Sequence, residues 1–168
     1  KKSIHKNAQL LKNVSAERLY VELSKLIMGA YCEKILTEYV DVLGTFLPCL
    51  LPCVGFDQKN RYHIYDVYTH MVKALCAAPF DLKIRLALLF HGAGKVDCAA
   101  DRQYFISYDG HTERAIMLTR SALSEYSTAN PVIDSICQLI RHHDDKISPE
   151  NIHEYTKAFG EKLTRDIL

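Results

Sequence analysis

Apolar residues recur at three- and four-residue intervals along most of this chain, the spacing of one buried helical face. A helix that begins after Ser15, its predicted N-cap, buries Leu19, Leu23, Leu26, Ile27 and Ala30. A second helix turns Cys32, Ile35, Leu36, Tyr39, Val42, Leu43 and Phe46 inward and ends before Pro48. Valine, isoleucine and threonine never alternate with polar residues over the length of a strand, so we predict no β-sheet. The pattern predicts an all-α fold.

The same periodicity continues through the second half and places histidines on or beside the apolar faces. The predicted helices are Tyr65–Ala78 with His70 on its flank, Leu82–His91 capped by Asp81, Thr112–Ser124, one that starts at Asn130-Pro131, and Ile152–Ile167. His91 continues the buried spacing of its helix, and His143 rather than His142 continues the spacing of Ile136 and Ile140. An irregular loop is predicted from Val96 to Gly110. The pattern thus directs His91 and His143 towards the core.

Prolines and polar residues divide the chain near its middle. Pro48, Pro52 and Gly55, followed by the polar run Asp57–Asn60, form a connector that is long for a compact domain. We therefore predict a helical segment over 1–47, a connector over 48–61 and a helical domain over 62–168.

Composition describes a globular protein without a strong overall charge. Of the 168 residues 48% are hydrophobic, and the formal net charge is +1. The cations Lys1, Lys2, Lys6, Lys12 and Arg18 crowd the N-terminal segment, as a local basic face or as a solvated helix surface. No apolar run approaches the roughly 20 residues of a membrane span and no signal peptide precedes the first helix, so we expect a cytoplasmic protein. The six cysteines form no CxxC pair, which predicts reduced, mostly buried thiols.

Six of the eight histidines fall in four short pieces that the predicted helices bring towards one another. These pieces are Tyr62–His70, Leu86–Lys95, Gly110–His111 and Arg141–Asp144. Imidazoles and carboxylates from different helices suit Zn, Fe, Mn or Ni, and such an ion polarises a phosphate and generates hydroxide from water. Histidines kept as hydrogen-bonded residues of the core are the alternative.

The residues of these pieces resemble a known family. The segments Tyr62-His-Ile-Tyr-Asp-Val-Tyr-Thr-His70, Leu86-Ala-Leu-Leu-Phe-His91 with Gly94-Lys95, Gly110-His111-Thr-Glu113 and Ile140-Arg-His-His-Asp144 together resemble the HD domain of bacterial CCA-adding tRNA nucleotidyltransferases. The segment from Asn7 to Arg18 resembles the start of that family's helical RNA-binding neck and body. The resemblance covers nearly the whole chain and implies a helical neck and body followed by an HD-like helical bundle.

The resemblance also implies a set of site residues and a cofactor. The implied metal positions are His70, His91, His111, His143 and Asp144, a divalent transition metal is the implied cofactor, and Lys95 is the implied phosphate contact. The family has an aspartate directly after the motif's histidine, whereas this chain has Gly92 there. Because that aspartate normally ligates the metal, we expect a degenerate HD scaffold rather than an active hydrolase.

The resemblance finally implies what the chain does and what it lacks. The family's nucleotide addition needs a catalytic head that binds Mg and nucleotide, and no Gly-Ser motif followed by Asp-x-Asp occurs in this sequence. We therefore expect a C-terminal fragment that holds tRNA within a CCA tRNA nucleotidyltransferase-like parent and does not add CCA alone. One alternative is a metal-dependent phosphohydrolase of phosphomonoesters or cyclic phosphates. Another is a non-catalytic helical module that forms a homodimer.

Overall fold

The computed structural model describes residues 2–59, 64–102, 105–126, 128–146, 148 and 153. The helices in this part of the chain are α1 (Lys2–Asn7), α2 (Ala16–Ile27), α3 (Cys32–Glu38), α4 (Val40–Leu43), α5 (Val67–Ala77), α6 (Leu82–Phe90), α7 (Lys95–Cys98), α8 (His111–Glu125) and α9 (Asn130–Arg141). Two 3₁₀ helices, Ala8–Asn13 and Pro48–Cys53, precede α2 and follow α4. The fold is mainly helical, as the sequence predicted.

The N-terminal segment follows most of the predicted apolar spacing but differs from the prediction in three details. Ala30, predicted on the buried face, is exposed because α2 already ends at Ile27. Leu19, Leu23 and Ile27 of α2 are buried, whereas the side chain of Ser15 makes no capping hydrogen bond. The single helix predicted from Cys32 to Phe46 is wrong, because the backbone leaves helical dihedrals at Tyr39 (φ −126°, ψ 28°) and separates α3 from α4. At this break the Tyr39 ring stacks on His5 of α1, a long-range contact that a local pattern does not contain.

Helix α6 lies at the centre of the bundle and contacts α2, α5, α8 and α9. Leu86, Leu89 and Phe90 have no exposed surface, since helices surround α6. The cap predicted for this helix is confirmed: the Asp81 carboxylate accepts hydrogen bonds from the amides of Lys83 and Ile84. His91 directly follows the last residue of α6 and lies in the interior of the bundle, where it is 3% exposed.

The segment predicted as an irregular loop contains α7 and an antiparallel hairpin. Strands β1 (Ala100–Arg102) and β2 (Phe105–Ser107) pair with Ala100 opposite Ser107. The prediction of no β-sheet was therefore wrong, because strands of three residues are too short to show an alternating pattern. Gly110 then enters α8 with φ 82°, a left-handed conformation that glycine adopts without a Cβ penalty.

One hydrophobic core joins both halves of the described chain, from Leu19 of α2 to Ile140 of α9. The division into 1–47, 48–61 and 62–168 stays a prediction, as does the final helix Ile152–Ile167, which lies outside the described residues apart from His153. Among the residues that the structure describes, no helix has the length and hydrophobicity that a membrane crossing requires.

Candidate functional site

Four histidines named from the sequence lie side by side in the bundle. The ring centroids of His70 and His91 are 5.2 Å apart, those of His91 and His143 5.0 Å, and those of His143 and His111 5.9 Å. They come from the middle of α5, the end of α6, the start of α8 and the turn after α9. His143 reaches this cluster although α9 already ends at Arg141, whereas His142 bonds Asp145. We call these four residues the histidine centre.

The backbone fixes the orientation of three rings in the histidine centre. In each of them Nδ1 lies within hydrogen-bond distance of the carbonyl oxygen three residues earlier: His91 on Leu88 at 2.9 Å, His111 on Tyr108 at 2.9 Å and His143 on Ile140 at 2.7 Å. A carbonyl only accepts hydrogen bonds, so Nδ1 carries the hydrogen in each ring. In a neutral imidazole this leaves the Nε2 lone pair available to a metal ion or a proton donor.

Burial keeps two of these rings neutral. His91 is 3% exposed, and burial, helped by the nearby His143, lowers its pKa to about 3. Burial also lowers the pKa of His111. Its Nε2 is buried and has no hydrogen-bond partner in the described part of the chain. A buried lone pair without a partner is unfavourable unless a ligand occupies it, so this atom marks the point where the centre is incomplete.

The carboxylate of Asp144 completes a possible donor set with two of the histidines. His111, His143 and Asp144 can each offer one ligand atom to a metal ion, and these three atoms lie within 4.8 Å of one another. The hydrogen bond from His143 holds the pKa of Asp144 down at about 2, against the opposing effect of burial. The carboxylate is therefore ionised at neutral pH.

The contact between His143 and Asp144 itself calls for a positive charge. The Nε2 atom of His143 is 3.1 Å from Oδ2 of Asp144, and its Nδ1 already donates to the backbone. An ionised carboxylate only accepts. Both ring nitrogens therefore face acceptors, which requires either an imidazolium or a cation bound between nitrogen and oxygen. The residues present thus fit a single transition-metal ion with two imidazoles and one carboxylate.

The space beside Gly92 is already filled. A Cβ atom at this position would lie 3.1 Å from Cγ and Sδ of Met71 and 3.2 Å from Cγ1 of Val67. These side chains belong to α5, which packs against α6. Gly92 therefore lacks the carboxylate of the family motif and is also crowded by the apolar face of α5, so an aspartate here would require the Met71 and Val67 side chains to shift slightly.

Lys95 lies next to the centre in a network that the sequence did not reveal. The residue is 7% exposed, and its ammonium donates to Oε1 of Gln58 at 2.8 Å, while the hydroxyl of Tyr108 donates to the Gln58 carbonyl at 3.0 Å. Burial lowers the pKa of Lys95, and Asp144 opposes that shift. Gln58 is fully buried but sits in a polar run typical of a surface connector, so no sequence signal marked it. The phosphate contact suggested for Lys95 stays a prediction.

Comparison with known proteins indicates which enzymes this chain resembles. Residues 1–43 match a family model described as the probable RNA and SrmB-binding site of polymerase A. The CC-adding tRNA nucleotidyltransferase of Thermus thermophilus is 30% identical over 149 residues, which cover 80% of this chain and 33% of that protein. The chain is similar to tRNA nucleotidyltransferases over about four fifths of its own length.

A second relative agrees with the first. The Multifunctional CCA protein of Dechloromonas aromatica is 29% identical over 134 residues, or 76% of this chain and 32% of that protein. The chain thus spans about a third of the length of both relatives. The resemblance to nucleotidyltransferases seen in the sequence is confirmed, and the first segment matches a family model that is described as a probable RNA-binding site. The HD-domain assignment and the metal ligands His70, His91, His111, His143 and Asp144 stay predictions.

Proposed function

We propose that this chain holds tRNA within a tRNA nucleotidyltransferase. The observation that carries the proposal is the state of the cations in the segment that matches an RNA-binding family, residues 1–43. Lys2, Lys6, Lys12 and Arg18 are exposed, and none forms an ion pair with another described residue. Such side chains can meet phosphates without first giving up a partner within the protein.

Cations in the later part of the chain are mostly engaged. Lys59, Lys73, Arg114, Arg120 and Arg141 each lie within 4.0 Å of a carboxylate, and Arg85 and Lys95 are buried. Among the residues that the structure describes, exposed cations without an ion pair are therefore more numerous in the first segment than in the later part. Lysine and arginine contacts to phosphates position an RNA without reading its sequence, which suits a protein that accepts many tRNAs.

The test is tRNA binding by the full chain as a function of salt, measured by fluorescence anisotropy. We expect Lys6→Gln, Lys12→Gln and Arg18→Gln combined to weaken binding and to lower the slope of log K against log[salt] by about 0.7–0.9 for each phosphate that the variant no longer neutralises. The matched control combines Lys83→Gln, Arg102→Gln and Arg120→Gln, which removes the same charge elsewhere. Equal losses of affinity in both triple variants would show a general charge effect and defeat the assignment to the first segment.

A metal-dependent phosphohydrolase is the second candidate. The observation that favours it is the buried Nε2 of His111, which makes no hydrogen bond in the described part of the chain and lies 3.9 Å from Oδ2 of Asp144. His111, His143 and Asp144 would hold the ion. When bound, a divalent transition metal polarises a phosphate ester and lowers the pKa of bound water. The chain's own contribution would be to orient the imidazoles through their Nδ1 hydrogen bonds and to hold Lys95 beside the site.

Metal content separates the two candidates. Elemental analysis and calorimetric titration with Zn²⁺ and Ni²⁺ should show one ion per chain, with affinity reduced at least tenfold in His111→Ala and Asp144→Asn. His142→Ala is the control, because His142 bonds Asp145 and lies outside the donor set. A chain that binds none of Zn²⁺, Ni²⁺, Mn²⁺ and Fe²⁺ would exclude this activity. Binding without hydrolysis of a phosphomonoester would reduce the site to a structural one.

The proposal extends to assembly and compartment. We place the protein in the cytoplasm, together with its tRNA partner, and a homodimer is the further assembly state to be tested. Sedimentation of the purified chain with and without tRNA measures both equilibria. A monomer at micromolar concentration would remove the dimer from the proposal and leave tRNA binding unaffected.

A further inference from the structure

Two cysteines far apart in sequence meet between α3 and α5. The Sγ atoms of Cys32 and Cys76 are 3.1 Å apart, although 44 positions separate them in the sequence. A disulfide bond has a sulfur–sulfur length of about 2.05 Å, so an approach of about 1 Å would join them. All six cysteines are free thiols in the structure.

The register of the two helices fixes this meeting. The hydroxyl of Tyr68 donates to the carbonyl of Leu36 at 2.8 Å, and Lys73 pairs with Glu33 at 2.6 Å. In these contacts the residue numbers fall along α3 as they rise along α5, so the two helices run antiparallel. The next contact in the series is between Cys32 and Cys76. The two thiols therefore face each other because of contacts on both helices and not through one flexible side chain.

The two cysteines are partly accessible to reagents, and a positive charge lies beside them. Cys76 is half-buried and adjoins the exposed Lys73–Glu33 pair, whereas Cys32 is buried. Nη1 of Arg85 is 4.0 Å from Sγ of Cys32. The positive charge of Arg85 partly opposes the rise that burial causes in the pKa of Cys76.

We propose that Cys32 and Cys76 form a reversible disulfide in the presence of a peroxide, which cross-links the RNA-binding segment to α5. In the first step the Cys76 thiolate attacks one oxygen of the peroxide. The O–O bond breaks, and a sulfenic acid and hydroxide form. In the second step the Cys32 thiolate attacks the sulfenic sulfur, the S–S bond forms as the S–O bond breaks, and a second hydroxide leaves. The thiol protons convert both hydroxides to water, the thiols lose two electrons and the peroxide gains them.

The environment also sets the rate of this reaction. Burial raises the pKa of Cys76 to about 12, and the contact with Cys32 adds to the shift. Few thiolates are therefore present at neutral pH, and oxidation should be slower than that of an exposed cysteine and should accelerate as the pH rises. The Cys32–Cys76 disulfide should therefore form under sustained exposure to peroxide.

The experiment is peptide mapping of the full chain after treatment with hydrogen peroxide, alkylation of the remaining thiols and digestion without reductant. We expect a linked Cys32–Cys76 peptide that is two hydrogen masses lighter than its parts and disappears with dithiothreitol. The oxidised chain should melt about 5–15 °C higher, because the cross-link closes a long loop. Cys49→Ser should behave like the wild type, whereas Cys76→Ser should show neither the peptide nor the shift.

Two outcomes would overturn the proposal. One is peroxide treatment that takes Cys76 to the sulfinic acid while Cys32 stays alkylatable. The other is a disulfide that joins a different pair of the six cysteines. Both are read on the wild-type chain, so they do not depend on whether a cysteine variant folds, and neither bears on whether the chain binds tRNA.

Discussion

The two ends of α6 hold the most polar parts of the interior, and they are built in opposite ways. Near its start, Arg85 is 2% exposed and donates hydrogen bonds to the carbonyls of Ile27, Ala78 and Pro79, with its guanidinium 4.0 Å above the ring of Phe80. Just past its end, the histidine centre contains a buried nitrogen without a partner and a ring whose two nitrogens both face acceptors.

The difference separates a structural polar group from a candidate ligand site. Arg85 connects the ends of α2 and α5 to α6, and each of its nitrogens has a backbone acceptor. No guanidinium nitrogen of Arg85 is left without an acceptor that a ligand could supply. At the histidine centre the backbone fixes only one nitrogen of the His111 and His143 rings, which leaves both of their Nε2 atoms near the carboxylate of Asp144. Burial alone does not distinguish the two regions, but the unmet hydrogen bonds do.

The largest expected effect is at the structural end. Arg85→Met should lower the free energy of unfolding by about 3 kcal/mol or more, because it removes the side-chain donor from the carbonyls of Ile27 and Ala78, whereas the Pro79 carbonyl still accepts from the amide of Asp81. Chemical denaturation of both proteins measures the change. Arg120→Met is the matched control, since Arg120 forms an exposed pair with Asp134 and should cost less than about 1 kcal/mol. Equal losses of stability in the two variants would mean that Arg85 has no special structural role.

Acidification should destabilise the other end of α6 by an amount that does not exceed the effect of Arg85→Met. His91 stays neutral in the folded chain, with a pKa of about 3, but takes up a proton in the unfolded chain below about pH 6.5. The unfolded state then binds more protons, so stability should fall by about 3 kcal/mol between pH 6.5 and pH 4. The lowered pKa of His111 acts in the same direction.

Denaturation curves across this pH range, with a chelator present, test the prediction. His91→Leu should remove most of the slope. The low pKa of Asp144 matters only at more acidic pH, where its unfolded form becomes protonated. A wild-type curve that stays flat between pH 6.5 and pH 4 would show that His91 is not a buried neutral ring.

Gly92 offers a way to make the histidine centre more like the family motif. Gly92→Asp should cost about 1–3 kcal/mol, since its Cβ would crowd Met71 and Val67. In combination with Met71→Ala the cost should be smaller than the sum of the single changes by about 1 kcal/mol. Titration with Zn²⁺ should then show tighter binding in the double variant than in Met71→Ala alone. Additive stabilities with unchanged metal affinity would mean that Met71 is not what excludes a carboxylate.

Much of this arrangement could be predicted from the sequence, because it rests on periodic apolar faces and local caps. The buried positions of α2 and α6, the cap at Asp81 and the inward His91 all follow from spacing within one helix. The convergence of His70, His111 and His143 on His91 was inferred from the helical order and from family resemblance.

The features that were missed depend on contacts between distant segments. The break at Tyr39 coincides with a stack on His5, and Gln58 is buried because Lys95 and Tyr108 bond to it. The pairing of Cys32 with Cys76 requires the register of α3 on α5. None of these contacts has a local periodic signal, so a pattern-based interpretation treats the residues as surface, connector or core.

The smallest expected effect concerns the helix N-caps. The sequence predicted that Ser15 and Asp81 both act as caps, but the structure shows a capping hydrogen bond only for Asp81. Asp81 and Ser15 both occupy N-cap positions, but only the Asp81 side chain accepts amide hydrogen bonds, at 2.9 Å from Lys83 and 3.4 Å from Ile84. Asp81→Ala should therefore cost about 1 kcal/mol, within the usual range for removal of a cap, and Ser15→Ala only a few tenths. Urea denaturation of the two variants resolves this difference. Because Asp81 begins the helix that carries both Arg85 and His91, equal costs would mean that the start of α6 is held by Arg85 and core packing instead of by its cap.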